Sequence, residues 1–405
     1  MTHTWRPGRR VAIMGAGPGG VSAALAAIKA GYDVRIYEKN PEPKPIGGAV
    51  LLSVPVLAVL RSYGMDIEGF GSFTRTEFRN HRGKTRVALD FNPMIEEKTG
   101  IPGWHYGVLR SSAFARMLAL LPEGMVHAGH AVTRYDDHGD SVTAHFENGE
   151  QVKADILVGA DGIRSPVTTQ AFGDPGLFHV GIRVWLAWCE HFDGIPPQFG
   201  AIHHSRNVQA SYFPMLHDGK PGFEWWIVEK STPTAKVPSD PEAHLRRHLA
   251  HFADPLPRFA DQTDFARNVF RWEVYNRPSL PGYTKGRMAG IGDAVHPVSP
   301  YAAYGMGMAI EDGYYLIRAL DGRDLTKDAV ADAFARYDRE RVAYCNHQCE
   351  IARTFGKMFH HLPRPLSTLR DAVFDHTGFL NMTLKRDYLA DAEKQTLGLS
   401  ELHLA

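Results

Sequence analysis

The stretch Val11–Gly20, VAIMGAGPGG, decides the fold. Its first four residues form a continuous apolar run, as a strand buried in a parallel sheet requires, and they lead directly into a glycine turn. Gly15 permits the tight turn, Gly17 lets the backbone approach a pyrophosphate, and Gly20 lets the next helix pack closely on the strand. That helix offers unpaired amides and a partial positive charge to phosphates. The stretch predicts a nucleotide-binding β-α unit.

The residues that follow strengthen this prediction. Val21 to Ala30 is predicted to be the helix, Gly31 its C-terminal cap, and Asp33–Tyr37 a second strand that ends in Glu38. This carboxylate follows the glycines by about 20 residues, where an acid accepts hydrogen bonds from an adenosine ribose. The strand, helix and acid together favour a dinucleotide site over a glycine turn that serves packing alone.

Two segments far downstream extend the predicted site. Asp155–Ser165 (DILVGADGIRS) and Gly286–Pro297 (GRMAGIGDAVHP) each contain a short apolar strand that ends in a glycine turn with an aspartate, Asp161 in one and Asp293 in the other. The second of these runs on into His-Pro. Such a segment suits a cofactor longer than ADP, with a ribityl chain held at its far end. The predicted cofactor is FAD.

In combination, the three motifs resemble those of the FAD-dependent aromatic hydroxylases, the single-component flavoprotein monooxygenases of the para-hydroxybenzoate and salicylate hydroxylase type. The resemblance runs from about residue 10 to about residue 345. It implies that Asp161 contacts both FAD and the nicotinamide cofactor, and that Asp293 binds the ribityl hydroxyls. It also implies that Arg110 contacts the flavin side and that Ile46–Val50, which includes Gly48, passes the isoalloxazine ring.

The chain departs from the family pattern after the His-Pro dipeptide. Many relatives read Pro-x-x-Gly-Gln-Gly-x-Asn there, whereas Ala303, Tyr304 and Gly307 stand in place of the first glycine, the glutamine and the asparagine. A helix beginning near Gly305 still offers backbone amides to the flavin, because that role needs no side chain.

Another departure is Thr168, which stands where the family has an arginine. The predicted cofactor-binding residues are Gly15, Gly17, Gly20, Glu38, Lys39, Gly48, Arg110, Val132, Asp161, Asp293, Gly305 and Met306.

The resemblance implies an activity. NAD(P)H reduces FAD, oxygen adds to flavin C4a, and the hydroperoxide delivers an OH group to an aromatic or heteroaromatic small molecule; the protein excludes water and orients the substrate. Two alternatives stay open: another flavin reaction, such as dehydrogenation or Baeyer-Villiger oxidation, and a protein that binds FAD and a ligand without turnover. No catalytic residue is predicted, since His296 belongs to the common His-Pro of the flavin loop.

The substrate is predicted to lie on aromatic-rich strands. The candidate contacts are Arg183, Tyr212, Trp226 (or its neighbour Trp225) and Tyr301. A small benzoate is usually gripped by a buried arginine in a bidentate clamp, and Arg183 is the one cation in this set. A mostly neutral, larger aromatic or heteroaromatic substrate is therefore expected.

Composition limits the other possibilities. The chain has 405 residues and 45 acidic against 45 basic side chains, so it has no electrostatic footprint for nucleic acid. No apolar stretch approaches the roughly 20 residues of a membrane span. Three cysteines cannot build a disulfide framework, which favours the cytoplasm. Cys345 and Cys349 lie one helical turn apart, but His347 faces away from both, so no metal site is predicted.

The predicted fold class is α/β: a doubly wound FAD-binding Rossmann-like domain of the glutathione-reductase type, interleaved with a mainly antiparallel substrate sheet and followed by a helical extension. Strand-like, aromatic-rich runs alternate with the cofactor motifs, which sets the boundaries. The FAD-binding domain is predicted at residues 1–72, 105–177 and 276–324, the substrate domain at 73–104 and 178–275, and the helical region at 325–405. The protein is expected to be a monomer or homodimer.

Overall fold

A computed structural model gives the fold and describes residues 4–43, 48–89, 92–299, 304–386 and 390–399. The described chain contains three sheets, of six, three and nine strands. Its strands are β1 (Arg10–Met14), β2 (Asp33–Glu38), β3 (Ala49–Ser53), β4 (Ser72–Asn80), β5 (Thr85–Ala88), β6 (His105–Leu109), β7 (Val126–Ala128), β8 (Val132–Asp137), β9 (Val142–Phe146), β10 (Gln151–Ala154), β11 (Ile156–Gly159), β12 (Phe178–Glu190), β13 (Phe199–Ser205), β14 (Val208–His217), β15 (Lys220–Lys230), β16 (Val269–Asn276), β17 (Thr284–Lys285) and β18 (Met288–Gly290).

The helices include a long C-terminal one that packs back on the rest of the molecule. They are α1 (Pro18–Lys29), α2 (Val54–Ser62), α3 (Pro93–Thr99), α4 (Arg110–Ala119), α5 (Pro166–Phe172), α6 (Pro241–Leu249), α7 (Leu256–Gln262), α8 (Gly305–Leu320), α9 (Lys327–His360), α10 (Arg364–His376), α11 (Phe379–Leu384) and α12 (Ala390–Gly398), with a 3-10 turn at Gly292–Ala294.

The six-stranded sheet carries the three sequence motifs. Its order is β17-β18-β11-β1-β2-β7, parallel except for β17. In its centre Ile13 lies opposite Val158 on one side and Ile36 on the other, and all three side chains are buried. These apolar runs form strands because both faces of the sheet are covered. The doubly wound cofactor sheet predicted from the sequence is confirmed.

Helices α1 and α8 pack together on this sheet at close range. A Cβ atom added to Gly313 would lie 2.5 Å from the Ala23 amide nitrogen, and one added to Gly19 would lie 3.1 Å from the Ala309 carbonyl oxygen. Gly19 thus lies beside Ala309 and Ala23 lies beside Gly313, so the two helices run in the same direction. Their N-termini therefore lie at the same end of the sheet.

The nine-stranded sheet forms the second part of the molecule. Its order is β16-β12-β15-β14-β13-β4-β6-β3, with β5 paired to β4. Most pairs are antiparallel, as predicted, but β13 pairs with β4 in parallel. Strands β3 and β6, which lie in segments predicted for the FAD-binding domain, pair here with each other and, for β6, with β4. Both predicted domains therefore contribute strands to this sheet.

Two helical groups cover the nine-stranded sheet. Helices α6 and α7 pack on one face through Leu245, Leu249 and Phe259. Helices α9 and α11 lie over the other, where Phe355, Phe359 and the two leucines of α11 form an apolar cluster with strand residues. Among the helices that the structure describes, none has both the length and the apolar character needed to cross a bilayer.

Candidate active site

The glycine turn after β1 has the geometry of a phosphate-binding loop. Gly15 has φ +104°, and a Cβ atom there would lie 2.3 Å from the Ala160 carbonyl oxygen. A Cβ atom on Gly20 would lie 2.1 Å from the Gly15 carbonyl oxygen, whereas one on Gly17 meets no atom within 4 Å. Two glycines are thus required for close packing, and the third leaves open space at the N-terminus of α1.

Glu38 lies at the end of β2, buried beside this turn. Its Oε2 accepts a hydrogen bond from the Ala16 amide (2.9 Å), and its Oε1 accepts one from the Asn40 amide (2.9 Å). The carboxylate therefore fixes the turn as well as ending the strand. Lys39 follows it and is exposed, while Val132 is half-buried at the start of β8.

Among the residues that the structure describes, no cation lies at ion-pair distance from either aspartate of the downstream motifs. Both carboxylate oxygens of Asp161 are buried without a hydrogen-bond partner in the described chain, and burial raises its pKa to about 6 against the opposing effect of Ser165 nearby. Asp293 keeps contact with solvent, yet the surrounding protein raises the pKa of its carboxyl, while His296, Arg110 and Arg277 oppose this. Asp293 is therefore surrounded by protein and still open to water, which places it in the wall of a cleft.

Arg277 joins the two motifs, and the sequence reasoning missed it. It is buried, and its guanidinium donates to the carbonyl oxygens of Ala294 (2.6 Å) and Ile163 (2.5 Å). Its charge also acts on Asp161 and Asp293. Asn-Arg-Pro after a strand contains no recognised motif, so only the fold reveals that this cation holds both flavin-side loops.

The opposite wall of the cleft carries Arg110, Gly48 and Glu224. The Arg110 amide donates to the Gly48 carbonyl oxygen (3.2 Å), and burial lowers the pKa of the Arg110 guanidinium while Asp293 and Glu224 oppose this. Glu224 is fully buried on β15 and accepts a hydrogen bond from the Ala49 amide (2.9 Å). The sequence reasoning named the first two residues of this wall and missed Glu224, which alternates with aromatic neighbours on a strand.

A buried polar network lies under the loop that carries Asp293. Asp312 accepts hydrogen bonds from the Gly292 amide (2.9 Å), from Arg341 Nε (2.8 Å) and from His296. Burial disfavours the imidazolium, but the Asp312 carboxylate outweighs it and raises the pKa of His296 well above its ordinary value. Arg341 also contacts Glu311 (3.2 Å). The network pairs its charges and fixes the backbone next to Asp293.

Tyr304 connects this network to β3. Its hydroxyl donates to Glu311 and accepts from Ser53 (3.0 Å). Tyr304 is the N-cap of α8, so Gly305 and Met306 are the first residues of that helix. The tyrosine that departs from the family pattern thus points into the protein, and the helix N-terminus remains available to a ligand.

Two clusters in the described chain bring three potential metal ligands together: His296, Asp312 and Cys345 in the network above, and Glu229, His244 and His248 between β15 and α6. In the second cluster the Glu229 carboxylate accepts from His244 (2.9 Å), His248 (3.1 Å) and the Trp185 indole (2.8 Å). These bonds fasten α6 to the sheet. Cys345 and Cys349 were considered as metal ligands in the sequence analysis. Cys345 belongs to the first cluster, whereas the Cys349 thiol donates to the His296 carbonyl oxygen (3.7 Å).

A cavity that is partly open to solvent lies between the nine-stranded sheet and the C-terminal helices. Its described lining is apolar apart from four uncharged polar residues, Thr76, His105, His204 and Gln209. The apolar lining residues are Leu51, Phe78, Leu89, Ile202, Trp226, Val228, Phe355, Phe359, Leu380 and Leu384.

The substrate residues predicted from the sequence fall in different places. Trp226 lines the cavity, whereas Tyr212 and Trp225 lie on the other face of the sheet, in the core formed with α6 and α7. Arg183 is away from the cavity, since its guanidinium pairs with Glu273 (2.6 Å) and donates to the Ala235 carbonyl oxygen (3.1 Å). Tyr301 lies outside the described residues, as do Ile46 and Gly47 of the flavin segment.

The comparisons with known proteins agree with this geometry. Residues 9–350 match the family described as FAD binding domain. A 3-amino-4-hydroxybenzoate 2-monooxygenase of Streptomyces platensis is 27% identical over 399 residues, covering 92% of this chain and 93% of the relative. A 6-hydroxynicotinate 3-monooxygenase of Bordetella bronchiseptica is 28% identical over 356 residues, covering 82% and 88%.

The solved structures point the same way. HpxO of Klebsiella pneumoniae, crystallised with FAD and uric acid, superposes with a TM-score of 0.80 at 25% identity, covering 98% of this chain and 97% of that one. The open glycine turn, the unpartnered Asp161 carboxylate and the cleft at Asp293 all fit FAD. The chain therefore belongs to the FAD-binding-domain family and is an FAD-dependent monooxygenase of the aromatic hydroxylase type.

Proposed function

We propose that this enzyme uses NAD(P)H and O2 to hydroxylate a neutral, flat aromatic or heteroaromatic molecule bound in the cavity between the nine-stranded sheet and the C-terminal helices. The observation that carries the proposal is the lining, whose described residues include no acidic or basic side chain apart from two histidines. Both histidines are uncharged at neutral pH: burial lowers the pKa of His105 to about 3 and that of His204 well below its ordinary value. An ionised substrate would thus lose its hydration without gaining a counter-ion.

The polar groups of the cavity suit a heteroaromatic ring. The Gln209 amide nitrogen donates to Ser211 (3.0 Å), so its oxygen faces His204 Nε2 (3.1 Å), and the imidazole proton is assigned to that nitrogen. His204 Nδ1 is then an acceptor, buried without a partner in the described chain. It would accept from an O–H or N–H of the substrate, while the apolar walls contact the ring faces.

The relatives sharpen this choice by contrast. Hydroxybenzoates and hydroxynicotinates are carboxylic acids, and an arginine clamp is the usual partner for such a group. Arg183, the cation expected on this sheet, is occupied by Glu273. Uric acid, the ligand of the HpxO structure, is a heteroaromatic without a carboxylate, although it is an anion at neutral pH. It therefore guides the choice of ring system and not the choice of charge.

The geometry supports the following cofactor-binding roles. The turn at Gly15, Gly17 and Gly20 would hold the pyrophosphate, Glu38 the adenosine ribose, and Asp293 the ribityl hydroxyls. The α8 N-terminus at Gly305 and Met306 would face the flavin ring. When bound, FAD supplies the redox chemistry and the activation of oxygen. The protein orients the ring of the substrate and excludes water from the cavity.

The test is a panel of paired compounds, each a hydroxylated heteroaromatic or indole offered with and without a carboxylate. NAD(P)H oxidation should be stimulated by neutral members, with label from 18-oxygen gas in the product. Stimulation confined to the carboxylates would contradict the proposal. Oxidation of the compound without incorporated label would favour a dehydrogenation, and FAD and ligand binding without any turnover would favour a binding protein.

Two further expectations stay predictions. The three cysteines are free thiols, as is usual in a reducing compartment, which supports a cytoplasmic location. The oligomeric state is expected to be monomer or homodimer, and light scattering of the purified protein would decide between them.

A further inference from the structure

We infer that Glu224 is a positioning residue for the flavin: as an uncharged carboxylic acid, it holds the Gly48–Ala49 backbone on the substrate sheet and so sets the wall between the cofactor cleft and the cavity. The inference concerns the cofactor side and does not depend on which substrate is bound.

The first observation is the unusual setting of this carboxyl. Glu224 has no solvent exposure and lies on β15 opposite Trp188 on one neighbouring strand and Phe213 on the other. The surrounding cluster is apolar and includes Leu51 and Trp226, which also line the cavity. In the described chain, its Oε1 has no hydrogen-bond partner. A carboxylate in such a place is costly, whereas a neutral acid is tolerated.

The charges around Glu224 agree with an uncharged form. Burial raises the pKa of Glu224 well above its ordinary value, and the Ala49 hydrogen bond and the Arg110 charge only partly oppose this. No ion pair of Glu224 occurs among the described residues, and the Arg110 charge acts on Asp293 as well as on Glu224. The buried acids under the flavin loop differ, because Arg341 contacts both of them directly.

The second observation is how tightly the carboxyl fits residue 48. A Cβ atom on Gly48 would lie 2.4 Å from Glu224 Oε1 and 2.6 Å from Oε2. Gly48 does not have a left-handed φ, so the absent side chain serves this close approach and not a special backbone conformation. The carboxyl occupies the place of the missing side chain and accepts from the Ala49 amide (2.9 Å).

The third observation is what the pinned backbone touches. The Gly48 carbonyl oxygen accepts from the Arg110 amide (3.2 Å), at the start of α4, and Ala49 lies opposite Leu109. Glu224 therefore connects the substrate strand β15, the segment at Gly48 and the arginine that faces Asp293. A shift of this one carboxyl would move the wall on which the flavin side of the cofactor rests.

The experiment compares Glu224→Gln with Glu224→Leu, both loaded with FAD. Glutamine keeps an acceptor for the Ala49 amide and adds no charge. The Kd for FAD should therefore stay within about threefold of the wild-type value, and the visible flavin spectrum should not shift. Leucine leaves that amide unpaired, so we expect about tenfold weaker FAD binding, equal to about 1.4 kcal/mol, and a shifted flavin band. Gly48→Ala should resemble leucine, because its Cβ displaces the carboxyl.

Glu229→Gln is the matched control, a buried acid on the same strand that points to the other face. It should lower the unfolding temperature without changing FAD affinity or spectrum. If Glu224→Leu binds FAD like the wild type with an unshifted band, the inference is overturned, even if stability falls. It is also overturned if glutamine is as damaging as leucine, because the carboxyl would then act as an anion. Either result leaves the proposed substrate class untouched.

Discussion

The cofactor side and the cavity side of this molecule bury polar groups in opposite ways. Under the flavin loop, Asp312, Arg341 and His296 are charged and directly paired. Around the cavity, His105 and His204 are uncharged because burial lowers their pKa values. Paired charges hold a backbone in one place at a high cost of disruption, whereas neutral groups leave a space into which an uncharged ring can enter.

Removing one partner of the charged network should have the largest effect. Arg341→Met leaves Glu311 buried without its cation and Asp312 with His296 as its one remaining cation, and breaking such pairs costs about 3–5 kcal/mol of unfolding free energy. Chemical denaturation measures this loss. Arg339→Met, an exposed residue of the same helix, should change stability by less than about 0.5 kcal/mol. Equal losses of stability in both variants would show that the buried charge pairs of Arg341 do not hold the cofactor side together.

The next largest effect should come from Asp293, the acid that faces the cleft. Losing a charge-assisted hydrogen bond costs about 1.5–3 kcal/mol, so Asp293→Ala should weaken FAD binding about ten- to a hundredfold. Fluorescence titration of the apoprotein with FAD provides the constant. Asp293→Asn keeps hydrogen-bonding capacity and should fall between alanine and the wild type. Unchanged affinity in the alanine variant would refute the assigned role of this motif.

The cofactor motifs were predictable because each is local in sequence. Gly15 to Glu38 forms one strand-helix-strand unit whose spacing fixes the geometry, and the aspartates end strands of the same sheet. Arg277 was missed because its contacts join loops more than 100 residues apart, with Ile163 on one side. No pattern along the chain records such a contact.

The cavity lining was less predictable because it depends on which face of the sheet each strand residue occupies. On β15, Trp225 and Trp226 are neighbours that point to opposite faces, and only the register shows that Trp226 lines the cavity. Tyr212, on β14, lies on the face covered by α6 and α7. Shifting the assumed pairing by one residue would exchange these faces. Arg183 was named for its charge, but a partner on β16, Glu273, uses that charge.

The uncharged histidines predict a specific response to acid. Each is neutral when folded but has a pKa of about 6.5 when unfolded, so the unfolded chain binds more protons below that pH. Stability should therefore fall as the pH drops from about 6.5 towards the folded pKa of His105, which is about 3. The loss should be about 2 kcal/mol for His105 at pH 5, and His204 should lower stability in the same direction. His105→Gln and His204→Gln should each flatten this slope in denaturation measured against pH. The exposed control His376→Gln should leave it unchanged, and equal slopes in all variants would show that the cavity histidines are not held neutral.

The smallest effect should be that of salt on substrate affinity. A cavity without ion pairing is little affected by screening, so the affinity of a neutral ligand should change less than about twofold between about 50 and 500 mM salt. The ligand is a panel compound that stimulates NAD(P)H oxidation, and equilibrium titration measures its affinity. A steep loss with salt, or tight competition by simple benzoates, would place a cation in the cavity and erase the contrast between the two sides.

Part of the cavity wall comes from helical residues that follow the end of the family match. The family match ends at residue 350, whereas Phe355, Phe359, Leu380 and Leu384 follow it and line the cavity. Changes at these positions alter the shape offered to the substrate and leave the cofactor motifs intact. These four positions after residue 350 are therefore a place to build libraries for new aromatic acceptors without changing the cofactor motifs.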